Sequence, residues 1–413
     1  MSDGHKPLPP ESPIKVAMLV CNSFLNDARV RKEAETLVNA GFQVTVHALA
    51  VPGCQSRSDV LSSGIRVRRH GGDQTTKKPS PGSTKRERSK LDVLALILSR
   101  VRALLSMGWT TFRSRPDIVH AHDVNMLPTA WLAARLAKAP LIYDAHEIST
   151  DREGYQSFRG LVGWVEKQLV PGAAGMITTT DARAKFFARA YGVSRPLVLQ
   201  NRPRFIEVSR SNRIREELGL KESWPIVLYQ GGLQPGRGLD RLVKAAVNVS
   251  DTYFVFIGGG SQAGDLKRLV GDLNLGQSVY FIDTVPLDEL PSYTASADIG
   301  IQPIENTCLN HFTTDSNKLF EYVIAGLPVI ASQLPEISKV VRQHDLGLLV
   351  PPGNTEALAS AIVELVKDSS RRTHYQMNAK KAAKLLNWET QEASLLALYH
   401  QVLGNHNPLG PSD

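Results

Sequence analysis

KVAMLVCNSFLNDARVRKEAETLVNAGFQVTVHAL, residues 15–49, is the stretch that decides the fold. The apolar run at 15–21 predicts a buried strand, and the spacing of apolar residues after Asp27 predicts a helix that ends at Gly41. A second β-rich run follows at 43–49. Strand, helix and strand at this spacing form a βαβ unit, which predicts a parallel sheet covered by helices.

The same alternation continues along the chain in two blocks. A chain of 413 residues is too long for one compact core. We therefore predict an α/β protein of two Rossmann-like domains, with parallel sheets that face a central cleft and a linker near 201–204. Further strands are predicted at 117–120, 140–143 and 175–179 in the first block, and at 226–230, 253–257, 279–282, 299–302 and 329–331 in the second.

Charge and cysteine content narrow the class of protein. The formal net charge is +8 and the pI about 9.3, which favours anionic partners such as nucleotide phosphates, an acidic membrane surface or nucleic acid. Cys21, Cys54 and Cys308 lack the even count and close spacing of a disulfide framework. Together with a polar N-terminus and no long apolar run, these cysteines predict a location in the reducing cytoplasm.

One stretch interrupts the alternation. Residues 57–90 are rich in Ser, Gly, Lys and Arg, and predict a solvated basic loop. Residues 91–107, LDVLALILSRVRALLSM, predict a strongly apolar helix that carries Arg100 and Arg102. Two interpretations stay open: a basic amphipathic helix that lies on an anionic membrane, and a helix that faces the core.

Candidate site residues follow the predicted strands, because ligands of such sheets bind at the carboxyl ends of the strands. The first loop holds Asn22 and Asp27 and lacks the GxGxxG pattern, which argues against a dehydrogenase. Asp27 either contacts an acceptor or caps the following helix. His122 and His146 follow neighbouring strands, where they would line one cleft, pack as hydrogen-bonded core residues, or bind zinc with nearby carboxylates.

The second block contains a glycine-rich loop after its first strand, YQGGLQPGRG at 229–238. Gly231 and Gly232 allow a phosphate to approach the backbone, and Arg237 adds a fixed positive charge. An ordinary glycine-rich turn with a surface arginine is the alternative. Gly259, which follows the next strand, has the same two interpretations.

TTDSNKLFEYVIAGLPVIAS at 313–332 is the most specific segment. Asp315 or Ser316 is predicted to cap a helix whose free amides and dipole would attract a diphosphate. Lys318 adds charge, and Glu321 can accept hydrogen bonds from ribose hydroxyls, although a surface ion pair between the two is the alternative. The nucleotide-sugar-binding residues predicted in this segment are Ser316, Asn317, Lys318, Leu319 and Glu321.

These motifs resemble the retaining glycosyltransferases of family 4, which have the GT-B fold. SNKLFEYVIAGLPVIAS resembles the family's nucleotide-sugar signature, YQGGLQPGRGLDRLVKA the start of its nucleotide domain, and DIVHAHD with LIYDAHE its acceptor-side loops. The resemblance spans nearly the whole chain. It implies an acceptor-binding domain at 14–202, a nucleotide-sugar-binding domain at 203–387, and a segment at 388–413 whose helix crosses back to the first domain.

The resemblance also implies catalytic roles for four residues. His122 matches a histidine that contacts the transferred sugar, and Glu321 matches the ribose-binding second glutamate of the E-x7-E motif. Arg237 and Lys318 match positions that hold the diphosphate. The residues expected on the acceptor side are Asn22, Asp27, His122 and His146.

Two positions depart from the family pattern. Thr313 stands where the first glutamate of the E-x7-E motif is expected, and Gly232 where the family's loop arginine is usual. Glu305, Asp315 or the backbone at 316–318 is expected to hold the sugar instead. The family pattern therefore does not predict which sugar is transferred.

The resemblance implies a hexosyltransferase that moves a sugar from a UDP- or GDP-sugar to an acceptor, with retention of configuration. Arg237, Lys318 and the helix N-terminus would stabilise the leaving diphosphate, and the chain has no DxD motif, so we expect neither a metal ion nor a cofactor. The leaving phosphate itself is expected to take the acceptor proton.

The basic stretch and the apolar helix lead us to expect a lipid-linked glycan of a surface polysaccharide as acceptor, and peripheral attachment to the inner face of the plasma membrane. Two other functions stay open. One is a GT-B protein that is not a transferase, such as a nucleotide-sugar epimerase. The other is a basic nucleic-acid-binding protein, although the run at 77–90 has no aromatic residue for stacking on bases, so no nucleic acid is expected.

Overall fold

The computed structural model describes residues 12–50, 57–71, 90–152 and 155–406. They form two sheets, parallel but for one edge pair, which confirms the prediction of an α/β protein with two Rossmann-like units.

The strands of the first unit are β1 (Lys15–Leu19), β2 (Gln43–Leu49), β3 (Ser58–Val60), β4 (Arg66–His70), β5 (Ile118–His122), β6 (Leu141–Ala145), β7 (Gly175–Thr178) and β8 (Leu197–Val198). Those of the second unit are β9 (Ile226–Gln230), β10 (Tyr253–Ile257), β11 (Val279–Ile282), β12 (Ile299–Gln302), β13 (Val329–Ser332) and β14 (Gly347–Val350). The α-helices are α1 (Ala28–Asn39), α2 (Lys90–Arg113), α3 (Leu127–Ala137), α4 (Arg159–Leu169), α5 (Asp181–Tyr191), α6 (Arg213–Leu218), α7 (Leu239–Ala246), α8 (Ala263–Asp272), α9 (Leu290–Thr294), α10 (Leu309–Phe312), α11 (Asn317–Ile324), α12 (Pro335–His344), α13 (Thr355–Lys367), α14 (Ser369–Ala383) and α15 (Glu389–His406).

The first sheet has the strand order β3-β4-β2-β1-β5-β6-β7-β8 and is parallel except for the β3–β4 pair. Its central strands β5 and β6 are buried along their whole length because helices cover both faces of the sheet. On one face α1 and α15 pack through Leu37, Leu395 and Tyr399, which are all buried. On the other face α2 and α3 pack through the buried residues Met107 and Leu127.

The second sheet has the order β11-β10-β9-β12-β13-β14, and each strand is parallel to its neighbours. Residues of α6, α9, α11, α12 and α14 bury one face, and residues of α7, α8 and α13 bury the other. Loops that follow the carboxyl ends of the strands in both sheets meet in the space between the units, where parallel sheets present their ligand sites.

The C-terminal end of the chain returns to the first unit. Trp388 is fully buried, and its indole nitrogen donates a hydrogen bond to Thr36 Oγ1 at 2.9 Å. The Trp388 amide donates to the carbonyl of Pro203, in the segment that joins the two units. α15 then packs on the first sheet beside α1, so the last helix stabilises a unit that is distant in sequence.

The prediction of a solvated loop for the basic stretch is wrong at 57–71. β4 pairs in parallel with β2, and Arg69 and His70 are buried there. The Arg69 guanidinium forms an ion pair with the Asp59 carboxylate, which compensates a charge that burial would otherwise leave unpaired. Cys54 and residues 72–89, which contain most of the predicted loop, lie outside the described residues.

α2 is longer than predicted, and only one side of it packs on the first unit. Ala103 and Met107 are buried against the sheet, so the interpretation of a core-facing helix describes this side alone. None of the helices that the structure describes is long and apolar enough to cross a bilayer. Apolar side chains of α2 that remain exposed are Leu94, Leu96, Ile97, Leu98, Val101, Leu105 and Trp109.

Candidate functional site

A cavity of about 660 Å³ lies between the two units. It is lined by residues of both units, and most of the residues predicted for the site reach its wall. From the first unit the wall includes Asn22, Asp27, Arg29, His146, Glu147 and Arg183, and from the second unit Arg237, Asp315, Ser316, Asn317, Lys318 and Glu321.

The N-terminus of α11 opens on this cavity without a side-chain cap. Ser316 occupies the N-cap position with φ 55°, but its side chain makes no capping hydrogen bond. Asp315 does not cap the helix either, because its carboxylate accepts a hydrogen bond from Gln200 Nε2 at 2.8 Å. The prediction that one of these two side chains caps the helix is therefore wrong. The first amides of α11 keep the capacity to bind an anion.

Lys318 places a positive charge beside these amides. Its side chain lies across Gly231, where a Cβ would stand only 2.3 Å from Lys318 Cε, and the φ of +120° at Gly231 also excludes other residues. Burial lowers the pKa of Lys318 to about 8, with a further contribution from the Arg237 charge, and Glu321 opposes both. Within the described ranges no carboxylate oxygen lies within 4.0 Å of the ammonium nitrogen. A partly buried cation without a paired carboxylate is suited to an anionic ligand.

Glu321 does not pair with Lys318 on a surface, so that alternative is wrong. One of its carboxylate oxygens instead accepts a hydrogen bond from Gln230 Nε2 at 2.6 Å. The other end of the buried Gln230 amide accepts from Thr294 Oγ1 at 2.8 Å. Gln230 ends β9 and was not predicted as a site residue, although its place before the glycine-rich loop is a signal. It holds Glu321 in one orientation toward the cavity.

A second cavity, of about 310 Å³, adjoins the first at Glu321. Its walls include the apolar residues Leu287, Leu290, Pro291 and Ile324. The size and the apolar walls suit a flat heterocycle, and Glu321 stands between this cavity and the cationic one.

His146 is the histidine that reaches the cavity wall from the first unit. Its Nε2 lies 3.0 Å from Asp144 Oδ2, and its Nδ1 lies 3.7 Å from Asp123 Oδ2. Burial alone would lower the pKa of His146, but the two carboxylates raise it to about 9. The imidazole is therefore protonated at neutral pH and presents a positive charge to the cavity.

His122 lies one layer behind the wall. It is buried, its Nδ1 lies 3.3 Å from His146 Nε2, and its ring stacks on that of His120 at 4.1 Å. Burial lowers the pKa of His122 despite the nearby Asp144 carboxylate, so the ring is neutral. The structure does not place His122 in contact with the cavity, and its predicted contact with the sugar stays a prediction.

The residues that could bind zinc form a buried cluster behind His146. Oxygen and nitrogen atoms of Glu33, His120, His122 and Asp144 lie within 4.8 Å of one another. The guanidinium of Arg29, however, lies 2.8 Å from the Asp144 carboxylate and 3.1 Å from that of Glu33. Because this internal cation donates hydrogen bonds to both carboxylate oxygens of Asp144, the contacts favour an ionic network over a zinc site.

Asn22 and Asp27 hold each other in the first loop. One Asp27 oxygen accepts from the Val30 amide at 3.1 Å and so caps α1, as the capping interpretation predicts. The other accepts from Asn22 Nδ2 at 2.7 Å. Both residues line the cavity, and their contact with an acceptor stays a prediction.

Four other predicted residues do not reach the cavity. Gly231, Gly232 and Gly259 are absent from its wall, and the Leu319 side chain is fully buried in the core of the second unit. The phosphate approach predicted for Gly259 stays a prediction, whereas at Gly258 another loop packs closely, because a Cβ there would meet the Gly231 carbonyl oxygen. The glycines after β9 and β10 thus pack the two loops together, which positions Lys318.

The residues that could replace the first glutamate of the E-x7-E motif, which is Thr313 in this chain, differ in their access to the cavity. Thr313 is buried, and its hydroxyl accepts a hydrogen bond from Arg183 Nε at 3.2 Å. Glu305 pairs with Arg241 and does not line the cavity. Asp315 does line it, and burial, partly opposed by Arg183, raises the pKa of its carboxyl to about 6.

Arg183 was not predicted for the site. It lies in the first turn of α5, which follows β7, and it reaches across to the second unit. Its guanidinium donates to the carbonyl oxygens of His146 at 2.6 Å and Asn310 at 3.1 Å. The sequence signal was its position just after a predicted strand, where the other site residues also lie.

Comparison with known proteins gives the same two-part division. The model of the family described as "Glycosyl transferase 4-like domain" matches residues 27–202, and that of "Glycosyl transferases group 1" matches residues 210–382.

Full-length relatives and a solved structure also match the chain. A D-inositol 3-phosphate glycosyltransferase of Corynebacterium glutamicum is 24% identical over 91% of each chain. A phosphatidyl-myo-inositol mannosyltransferase of Mycobacterium leprae is 26% identical over 91% of this chain and 92% of its own. The crystal structure of Anabaena Alr3699/HepE in complex with UDP-glucose superposes with a TM-score of 0.73 at 17% identity, over 94% of this chain and 99% of that one.

Proposed function

The chain belongs to the family 4 glycosyltransferases of the GT-B fold and is a nucleotide-sugar-dependent hexosyltransferase; from this premise we propose that it transfers a sugar from a UDP- or GDP-sugar to a lipid-linked glycan. We further propose that the reaction retains the anomeric configuration and requires neither a metal ion nor a cofactor.

The cationic pocket at the start of α11 is the observation that carries this proposal. Lys318 has no carboxylate partner among the described residues, and Arg237 lines the same cavity. Breaking the bond between sugar and phosphate builds negative charge on the leaving diphosphate. Two side-chain cations and the uncapped amides of α11 stabilise that charge, which is the work that a metal ion performs in other transferases.

The remaining walls of the two cavities support positions for the rest of the donor. Glu321, held by Gln230, accepts hydrogen bonds from the ribose, and the adjoining apolar cavity takes the base. Asp315 and the protonated His146 face the space where the sugar lies, so they hold its hydroxyl groups in place of the missing glutamate. We assign no carboxylate nucleophile: the leaving phosphate takes the acceptor proton on the same face of the sugar. The Anabaena protein that binds UDP-glucose supports a donor of this class.

The exposed side of α2 supports a membrane-bound acceptor. Leu98 and Leu105 are each at least half exposed, and Arg100 and Arg102 lie on the same helix. α4 adds the exposed Trp164 to the surface of the same unit. Apolar side chains beside arginines suit the boundary of an anionic membrane, where a lipid-linked glycan would be presented. The phosphatidyl-myo-inositol acceptor in the name of the Mycobacterium leprae relative agrees with peripheral attachment to the inner face of the plasma membrane.

The donor pocket is tested by removing its cations. Lys318→Ala and Arg237→Ala should each lower kcat by roughly 10²–10³-fold in a donor-consumption assay, while the circular dichroism spectrum stays unchanged. Arg268→Ala, at a side chain that is 78% exposed on α8, is the control and should retain full activity. Activity should also survive EDTA. Near-normal turnover in both pocket variants, a strict need for a divalent ion, or donor consumption that is independent of any acceptor would contradict the proposal.

The membrane surface is tested by cosedimentation with vesicles that contain phosphatidylglycerol. The double variant Leu98→Asp, Leu105→Asp should lose binding, because two charges replace apolar contacts with the lipid. Leu385→Asp, at an equally exposed leucine after α14, is the matched control. Equal vesicle binding by wild type and the double variant would refute this part of the proposal.

A further inference from the structure

A third cavity, of about 650 Å³, continues the cleft beyond the donor site. We propose that this cavity binds an anionic group of the acceptor, a phosphate or diphosphate ester. The inference rests on the proposed function, because it names the class of acceptor that the same active site takes.

The third cavity and the donor cavity share part of their walls. Glu147, Arg183, Arg237 and Thr314 line both. A molecule held in the third cavity therefore reaches the space beside Arg237, where the sugar leaves the diphosphate.

Arg183 contributes a buried positive charge at this junction. Only 6% of it is exposed, and its hydrogen bonds go to uncharged oxygens: the carbonyls of His146 and Asn310 and the hydroxyls of Thr179 and Thr313. Within the described residues no carboxylate oxygen lies within 4.0 Å of its guanidinium. A buried cation whose hydrogen bonds go only to neutral oxygens, with no carboxylate among the described residues in direct contact, is stabilised when an anion enters the adjoining space.

The outer part of the cavity adds two arginines whose ion pairs are long. Arg152 lies 3.5 Å from Asp123 and 3.6 Å from Glu147, and Arg159 lies 4.0 Å from Asp151. Charge-assisted hydrogen bonds are shorter, at about 2.7–2.9 Å, so these guanidinium groups have donors left for a stronger acceptor. One guanidinium group can donate hydrogen bonds to two oxygens of a phosphate, so a phosphate group is the anion that fits these arginines best.

The charge of the cavity points to an anion other than the donor's. Four arginines line it and only two carboxylates, Glu147 and Asp151, oppose them. Lys318 and the start of α11, which hold the donor diphosphate, line the first cavity and not the third. The cations at Arg152 and Arg159 therefore remain unoccupied after the donor has bound.

The test uses inorganic pyrophosphate as the probe, titrated by calorimetry into the full-length protein saturated with UDP or, if UDP does not bind, with GDP. Saturation fills the donor site, so that pyrophosphate reports on the third cavity. We expect pyrophosphate to bind the nucleotide-loaded protein, and Arg159→Gln and Arg152→Gln each to weaken that binding by about ten-fold while leaving nucleotide affinity unchanged. Arg268→Gln, whose arginine also pairs with an aspartate one turn away, should change neither affinity.

Each result decides the inference. Pyrophosphate binding that disappears when nucleotide is present, or that is equal in wild type and both pocket variants, overturns it and leaves the proposed function intact. Failure of UDP and GDP to bind at all overturns the proposed function, and the inference falls with it.

Two further probes identify the source of the anion. Farnesyl diphosphate carries a lipid-linked diphosphate, and glucose 1-phosphate carries a soluble sugar phosphate. Binding of either one to the nucleotide-loaded wild type, weakened by Arg159→Gln, supports the inference and names the source. Binding of neither overturns it.

Discussion

Lys318 shows how its surroundings change the chemistry of a single residue. The side chain crosses the backbone at Gly231 and lies 6.0 Å from the centre of the Tyr229 ring. Burial and the charge of Arg237 lower the pKa of its ammonium to about 8, close to physiological pH. The residue therefore carries its charge at pH 7 and loses it within a range that binding experiments can reach.

This pKa predicts that nucleotide affinity depends on pH. As pH rises through 8, the free protein loses the Lys318 charge, so the affinity for UDP should fall between pH 7 and pH 9. Lys318→Met should bind more weakly throughout and show a smaller fall, because Arg237 does not titrate and His146, with a pKa of about 9, keeps most of its charge until pH approaches 9. Isothermal titration at several pH values measures both. A wild-type affinity that is constant over this range would show that Lys318 does not contact the diphosphate.

Gln230 leads to a second prediction for a single residue. Gln230→Leu keeps the size of the side chain but removes the hydrogen bond that orients Glu321. The KM for the nucleotide sugar should rise about ten-fold with a smaller change in kcat, because ribose contacts serve binding more than bond breaking. Gln302→Leu, on the adjacent strand β12, is the matched control: among the described residues its amide has no hydrogen-bond partner. Equal KM values in the two variants would contradict the role assigned to Gln230.

Among the elements, the loop after β9 and the start of α11 pack against each other through Gly231 and Lys318. Gly231 has a φ of +120°, and the space that its Cβ would occupy is filled by Lys318. Neither element makes the proposed phosphate site alone, because the loop sets the path of the lysine and the helix supplies the amides.

Gly231→Ala should therefore reduce nucleotide binding without unfolding the protein. The added methyl group must displace Lys318 and adopt an unfavourable φ, at a cost of roughly 1–3 kcal/mol. UDP-induced shifts in Tm measure the loss of binding. Gly264→Ala in α8, where a Cβ meets no atom within 4 Å, should keep the full shift. A full shift in Gly231→Ala as well would show that Lys318 can move freely.

β4 shows why some elements could not be predicted. Its sequence, RVRRH, has the composition of a solvated loop, yet Val67, Arg69 and His70 are buried. Pairing with β2 and an ion pair to Asp59 compensate for burying the charge. Strands rich in apolar residues, such as β9 and β10, were predictable because burial on both faces leaves a continuous apolar run in the sequence.

At the scale of the whole molecule, the returning C-terminal segment joins the two units. Trp388 precedes α15 and is buried against α1, with the ammonium of Lys32 5.3 Å from the centre of its ring. Arg183 and Asn310 add contacts between the units beside the cavity. The relative position of the two units, and with it the shape of the site, depends on these contacts.

Trp388→Ala should lower the free energy of unfolding by about 3–5 kcal/mol, because it leaves a large cavity and removes the hydrogen bond from the indole nitrogen to Thr36. Urea unfolding followed by circular dichroism measures the change. Trp164→Ala, at a tryptophan that is 60% exposed, is the matched control and should change the free energy by less than about 1 kcal/mol. Equal stability of the two variants would show that the segment before α15 does not hold the units together.

The local pattern of the chain was enough to predict two parallel α/β units and the candidate donor residues Arg237, Lys318 and Glu321, since strand and helix periods and the residues that follow each strand are properties of neighbouring positions. Only the tertiary structure decided that His146 rather than His122 lines the cavity and that Asp315 and Arg183 face it. These assignments depend on distances between residues that are far apart in the chain. Packing sets such distances through burial, ion pairs and the docking of one unit on the other, none of which leaves a periodic signal in the sequence.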